Sequence, residues 1–206
     1  GILKDYGELK EAEKSTRKAI ELKPNYVVAH YNLGAILRSL GKGKEAEKST
    51  RKAIALKPDF AEAYSNLGSI LQDSRKFQES SDSFRKAIQI NPNCLLAHYN
   101  LGITLKYLGK SEEAKQSILK AIGLKHDFPE AHAILGGILR ELGMIKESIL
   151  SYQNAINLDR SYDKGFLGLA KSMLINDQYI EGLKIIKEVD GCISFDLIKG
   201  VSFNKL

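Results

Sequence analysis

The stretches HYNLGAILRSLGK, His30–Lys42, and HYNLGITLKYLGK, His98–Lys110, decide how this chain is read. Each spaces its leucines and isoleucines by three and four, as Leu33, Ile36, Leu37 and Leu40 do, which marks the buried stripe of a helix. Each also carries Asn beside Gly in mid-helix, where Gly costs about 1 kcal/mol against Ala and Asn up to about 0.7 kcal/mol. A penalty repeated in a second copy calls for a reason.

Working outward, the pattern recurs every 34 residues: Pro24, Pro58 and Pro92 keep that interval, and the register then meets His126 and Arg160. Leu33, Leu67, Leu101, Leu135 and Leu169 form a second series. Gly34, Gly68, Gly102 and Gly136 form a third that ends at Ala170, and Ala19, Ala53, Ala87, Ala121 and Ala155 a fourth. Each unit divides into two amphipathic stretches of about 14 residues, separated by a turn such as LGK at 40–42 and closed by KP or NP. Pro stops the second stretch because it lacks an amide hydrogen and keeps the preceding residue out of the helical region. Gly41, Gly109 and Gly143 fit a left-handed cap ending the first. The spacing therefore predicts tandem helical hairpins: a partial repeat over 1–26, repeats over 27–60, 61–94, 95–128 and 129–162, and a divergent capping repeat over 163–189. The glycine now has a reason, since Gly34 facing Ala46 and Ala53 lets two helices approach to the 8–10 Å typical of helix pairs.

Leu33, Gly34, Leu37, Ala46, Ala53 and Pro58 in one unit, and Leu67, Gly68, Leu71, Phe84, Ala87 and Pro92 in the next, resemble the tetratricopeptide repeat (TPR) family in residues, period and helix–turn–helix unit. The resemblance spans nearly the whole chain. It implies an all-α fold, a right-handed α-solenoid of stacked hairpins with an extended concave surface lined by the first helices.

The residues left on the non-core side of the first helix in 27–60 are Val28, Tyr31, Asn32, Ala35, Arg38 and Ser39. Read at fixed phase they head columns. One is Asn32, Asn66 and Asn100, interrupted by Ile134 and Gly168. A second is Lys4, Arg38, Gln72, Lys106 and Arg140, ending at Leu174. A third is Tyr31, Ser65, Tyr99, Ala133 and Leu167. An Asn side chain both donates and accepts, matching the amide and carbonyl of an extended backbone. Repeats advancing by ~10 Å match three extended residues at ~3.3 Å each. The basic column adds selection for carboxylates, which Arg binds through two parallel hydrogen bonds. The candidate peptide contacts are Asn32, Asn66, Asn100, Tyr31, Tyr99, Lys4, Arg38, Lys106 and Arg140. The amide ladder resembles that of the TPR superhelix of O-linked N-acetylglucosamine transferase, and Asn with basic residues is similar to the carboxylate clamp of co-chaperone TPR domains. The competing reading is an echo of duplication, because EAEKSTRKAIELKP at 11–24 recurs as EAEKSTRKAIALKP at 45–58. Against it, later second helices diverge at Asp82, Gln116 and Ser148 while the Asn survives through the third complete unit, 95–128.

The 206 residues are 43% hydrophobic, with a net charge of +6 that permits acidic partners without naming one. No apolar run approaches the ~20 residues needed to span a bilayer. Cys94 and Cys192 lie far apart without metal-ligand spacing, which points to reduced thiols and a cytoplasmic setting, although the chain opens inside a repeat and any targeting signal would lie upstream. Phosphate loops, zinc spacing and nucleophile elbows are absent from the sequence, so no catalytic residue, metal or cofactor is expected. His30, His98 and His132 share a phase with Tyr64 and Phe166 and read as packing residues. Lys14, Arg17, Lys18, Lys48, Arg51, Lys52, Arg85 and Lys86 fall on second helices and read as a solvated face, since acidic residues intersperse them; nucleic-acid binding ranks below it. Over 190–206 the texture changes, and Ile193, Phe195 and Leu197 alternating with polar neighbours predict a short strand or hairpin. The expectation is a non-enzymatic scaffold for an extended, acidic protein or peptide segment held in the concave groove, with no small-molecule substrate and self-association left open. The alternative is a substrate-recruiting or regulatory arm of a larger enzyme such as a glycosyltransferase.

Overall fold

The computed structural model describes residues 2–190, 193–196 and 200–203, with side chains described over 6–187. Eleven helices and one hairpin account for them: α1 (Ile2–Leu22), α2 (Val27–Ser39), α3 (Gly43–Leu56), α4 (Ala61–Asp73), α5 (Phe77–Ile90), α6 (Leu95–Tyr107), α7 (Ser111–Leu124), α8 (Pro129–Glu141), α9 (Ile145–Leu158), α10 (Asp163–Ile175), α11 (Tyr179–Asp190), β1 (Ile193–Asp196) and β2 (Gly200–Phe203). They fall into two compact units, Gly1–Leu108 and Gly109–Leu206. The division lies inside the 95–128 repeat. Both units are built from the helix pairs of an all-α solenoid.

The turns form for the reason the glycines suggest. Gly41, Gly109 and Gly143 have φ of 72°, 72° and 75°. At the first of these, the Gly41 amide donates to the Arg38 carbonyl at 2.9 Å and the Lys42 amide to the Leu37 carbonyl at 2.8 Å, the paired bonds of a Schellman cap. Arg75 and Asp177 adopt φ of 58° and 60° at the same phase without glycine. α1 differs again, running unbroken through Gly7, where the later repeats turn. The second helices end on extended residues: Lys57 and Asn91, with φ of −141° and −128°, precede Pro58 and Pro92. Lys125 and Asp159 are equally extended, at −145° and −142°, with no proline following; after α9 the Asp159 carboxylate accepts from the Ser161 amide at 2.8 Å.

Within each hairpin, glycine on the first helix makes room for the middle of the second. A Cβ on Gly34 would collide with the Thr50 hydroxyl, one on Gly68 would lie 2.7 Å from Phe84 Cε1, and one on Gly136 would lie 2.8 Å from Tyr152 Cδ2. The opposing alanines Ala46, Ala53, Ala87, Ala114, Ala121 and Ala155 are fully buried.

The seams between repeats follow a second rule. Ala46 packs in one core cluster with Leu33, Leu37 and Ile70. One repeat on, Ser80 takes the place of Ala46 and Thr104 that of Ile70, and their hydroxyls lie 3.4 Å apart. Ser80 Oγ donates to the Gly68 carbonyl at 2.8 Å, and Thr104 Oγ1 to the Asn100 carbonyl at 2.8 Å. In the second unit Ala114 and Ile138 are again both fully buried, and Ser148 and Ser172 again pair, at 2.8 Å. Small apolar residues thus meet isoleucine and hydroxyls meet hydroxyls, and among the described residues no buried side-chain polar atom lacks a partner.

In the first unit α2 touches α4 and α4 touches α6, while α1, α3 and α5 pack on the first helices without backbone contact among themselves. Helices closer together on one side than the other bend a stack toward the closer side, so the first helices line the inner face of this unit. Of the tail over 190–206, Ile193–Asp196 pairs antiparallel with Gly200–Phe203, with Ile193 opposite Phe203 and Asp196 opposite Gly200. Leu197 and Cys192 lie outside the described residues.

Candidate functional site

The inner face of the first unit is carried by α2, α4 and α6, and the three asparagines stand on it in sequence. Asn32 is exposed, while Asn66 and Asn100 are half-buried. Their settings differ. Asn66 Nδ2 donates to Thr50 Oγ1 of the preceding second helix at 3.2 Å, which fixes the amide. Tyr31, half-buried, lies 5.0 Å from the Phe60 ring at a tilt of 51°. Burial is the main cause that pushes its hydroxyl above the ordinary pKa, with Glu62 and Cys94 adding to it. Tyr99 is half-buried and engaged.

The basic column is less available than its spacing suggests. Arg38 is exposed but already held, its Nε donating to Asp73 Oδ2 at 2.6 Å and its Nη2 to Oδ1 at 3.3 Å. Lys106 is half-buried and engaged. In the second unit Arg140 Nη1 donates to the Gly168 carbonyl at 3.4 Å and its guanidinium lies 5.9 Å from the Tyr152 ring centre. Lys4 belongs to the unbroken α1, and its side chain lies outside the described residues. The amide column gives way to Ile134, and at Gly168, its last phase, the Tyr152 ring of the preceding helix occupies the space that any side chain would need.

One cluster escaped the column reading. Gln72, Asp73, Arg75, Phe77, Ile103 and Tyr107 line a hollow of about 360 Å³ where the inner face meets the turn after α4. Tyr107 is 67% exposed, and its ring stacks on Phe77 at 4.9 Å and 9°. The sequence did hold a sign, because Arg75 fills the phase that Gly41, Gly109 and Gly143 hold elsewhere.

The outer face is laced instead of open. Glu13 accepts from Arg17 and from Lys42 at 2.9 Å, and Arg17 also reaches Glu45 at 2.7 Å. One repeat on, Glu47 accepts from Arg51 at 2.9 Å and from Lys76 at 3.3 Å, and Arg51 approaches Glu79 at 3.5 Å. The bonds from Lys42 and Arg17 hold the Glu13 carboxyl below its ordinary pKa. For Glu47 burial pulls upward, and the bonds from Arg51 and Lys76 together outweigh it. A hollow of about 760 Å³ between α1 and α3, floored by Ile20, His30 and Leu33, is the gap left where the backbones of those helices stay apart and only side chains such as Arg17 and Glu45 reach across. The histidines are packing residues with a task. His30, His98 and His132 Nε2 donate to the carbonyls of Pro24, Pro92 and His126 at 2.8, 2.9 and 3.2 Å, tying the inter-repeat loop to the next helix. Among the described residues, no helix is long and apolar enough to cross a membrane.

Comparison with known proteins agrees with this architecture. Models of the tetratricopeptide repeat match residues 27–60, 61–94, 83–116 and 129–162. Comparison with curated proteins finds no match. Among solved structures, PilW, a widely conserved type IV pilus biogenesis factor, superposes with a TM-score of 0.81 at 20% identity, covering 89% of this chain and 86% of its own. Pseudomonas aeruginosa pilF superposes with a TM-score of 0.78 at 20% identity, over 88% of this chain and 84% of its own. YrrB, a TPR protein with an unusual peptide-binding site, gives 0.74 at 21% identity, over 86% and 91%. With matched repeats across more than half of its length and hairpins that turn, cap and pack as described, the chain belongs to the tetratricopeptide repeat family of helical protein-interaction scaffolds.

Proposed function

We propose that this chain binds an extended peptide segment of a partner protein along the inner face of its first unit and performs no chemistry of its own. The observation that carries this is the column of Asn32, Asn66 and Asn100 on three adjacent first helices, with an amide oriented by Thr50 at its middle rung. Side-chain amides engage backbone groups of a strand without reading its side chains, so affinity comes from the ladder and selectivity from what flanks it. The binding of a peptide by YrrB, a structure of similar fold, supports the reading. The Arg38–Asp73 pair argues that acidic guests are drawn in by exchange with Asp73 and not by an open cation.

The test is a peptide-array screen of the parent beside Asn32→Ala with Asn100→Ala. Asn66 is left intact because it also supports Thr50. Helical content should be unchanged, since Ala favours helix more than Asn does. Loss of most retained peptides is the expected result; equal retention by both proteins would remove the ladder from the mechanism.

A further inference from the structure

The hollow beside Tyr107 combines three features that the repeat pattern does not require. First, Tyr107 presents 67% of its surface although it is stacked on Phe77, so a rigid aromatic plane is held open at the rim of the inner face. Second, the hollow of about 360 Å³ sits at the low end of the ~300–1,000 Å³ usual for ligand pockets, a size for one side chain and its neighbours. Third, its wall carries Arg75 at φ 58°, where three other turns of this chain use glycine. An L-residue in that conformation is disfavoured, and among the described residues the Arg75 guanidinium has no hydrogen-bond or ion-pair partner, its backbone amide alone donating to the Gln72 carbonyl at 2.9 Å. Asp73, the nearest acid along the chain, is held by Arg38. The cation at the rim is therefore unmatched, while the floor of Ile103, Phe77 and Tyr107 is apolar.

We infer that this hollow is the specificity pocket of the inner face, taking an aromatic side chain of the bound segment against Tyr107 and an adjacent side-chain carboxylate on Arg75. Aromatic residues and arginine dominate binding energy at such contacts, which suits the pair. The proposal rests on the groove reading above and sharpens it, from any extended segment to one containing an aromatic residue beside an acidic one.

Arg75→Gly separates binding from folding, because it should raise the denaturant midpoint by relieving the backbone while weakening binding. The experiment measures binding of short synthetic peptides, each with one Phe–Asp pair in a Gly/Ser background, and of a Phe–Lys control. Parent, Arg75→Gly, Arg75→Lys, Tyr107→Ala, and Asn32→Ala with Asn100→Ala are compared. The expected result is preference for Phe–Asp over Phe–Lys, a loss of about tenfold for Tyr107→Ala and about fivefold for Arg75→Gly, as for rim contacts of 1–1.4 kcal/mol, and near-parental binding by Arg75→Lys. If the double asparagine variant loses binding while Tyr107→Ala and Arg75→Gly do not, the groove stands and the pocket falls. If Tyr107→Ala and Arg75→Gly lose binding while the asparagine variant does not, the pocket stands and the ladder falls. Absence of binding of either peptide to the parent overturns both.

Discussion

The seam after α3 and the seam after α9 occupy the same phase of the repeat and are solved in opposite ways. At the first, a small Thr50 faces Gly34 and leaves room for Asn66, which bonds to its hydroxyl at 3.2 Å. At the second, Tyr152 fills the space beside Gly136, its ring occupies the position above Gly168, and Arg140 lies over that ring at 5.9 Å. At these two seams the residue at the centre of the second helix sets the room left to the next first helix: an amide fits beside Thr50, and no side chain fits beside Tyr152. Bulk alone is not the rule, because Asn100 follows α5, whose central Phe84 fills the space beside Gly68.

The comparison breaks most visibly if a rung is forced into the tyrosine seam. Gly168→Asn would put a Cβ 2.7 Å from Tyr152 Cδ1, and the overpacking should cost about 3 kcal/mol in a urea titration. Adding Tyr152→Thr should recover at least about 1 kcal/mol of that through a favourable coupling, and additive losses would show that the two positions are independent. A gentler challenge exchanges the hydroxyl seam for the apolar one. Ser80→Ala alone leaves the Gly68 carbonyl without its 2.8 Å donor and should cost about 1–2 kcal/mol, whereas Ser80→Ala with Thr104→Ile, which copies the Ala46–Ile70 pairing, should cost less than the single change. Smaller again, Thr50→Val removes the acceptor of Asn66 and should lower stability by about 1 kcal/mol, with no corresponding effect at Ile118, which holds that phase in the second unit.

The smallest effect belongs to the outer lacing. Glu13 and Glu47 are both held below their ordinary carboxylate pKa in the folded state, so their contribution is present above the unfolded value of 4.5 and is lost as pH falls below it through the folded values. Thermal melts between pH 6 and pH 3 should show a steeper acid loss for the parent than for Glu13→Gln with Glu47→Gln, and salt should shrink the difference because these pairs are exposed on their cationic side.

The architecture was legible because a period of 34 fixes which residues share a face, and the hairpins, the Gly41, Gly109 and Gly143 caps and the strand pair at 193–203 follow from local chemistry. The candidate site was legible only as columns. Columns compare equivalent positions, whereas the contacts that decide availability join unlike positions across a seam: Thr50 to Asn66 at a separation of 16, Ser80 to Thr104 at 24, Arg38 to Asp73 at 35. That is why Arg38 and Arg140 read as open cations from phase alone and prove to be committed. It is also why the Arg75 hollow, which depends on one residue departing from its column, was passed over.

The coupling of Tyr152 to Gly168 also bears on how such chains are cut and spliced. Boundaries drawn at 27, 61 or 129 sever each second helix from the first helix that was shaped to fit it. Cassettes exchanged at those points would bring Tyr152 against an asparagine or Thr50 against a void. The transferable piece is a second helix with the first helix that follows, such as Gly43 through Asp73, because that segment carries both halves of its own lock.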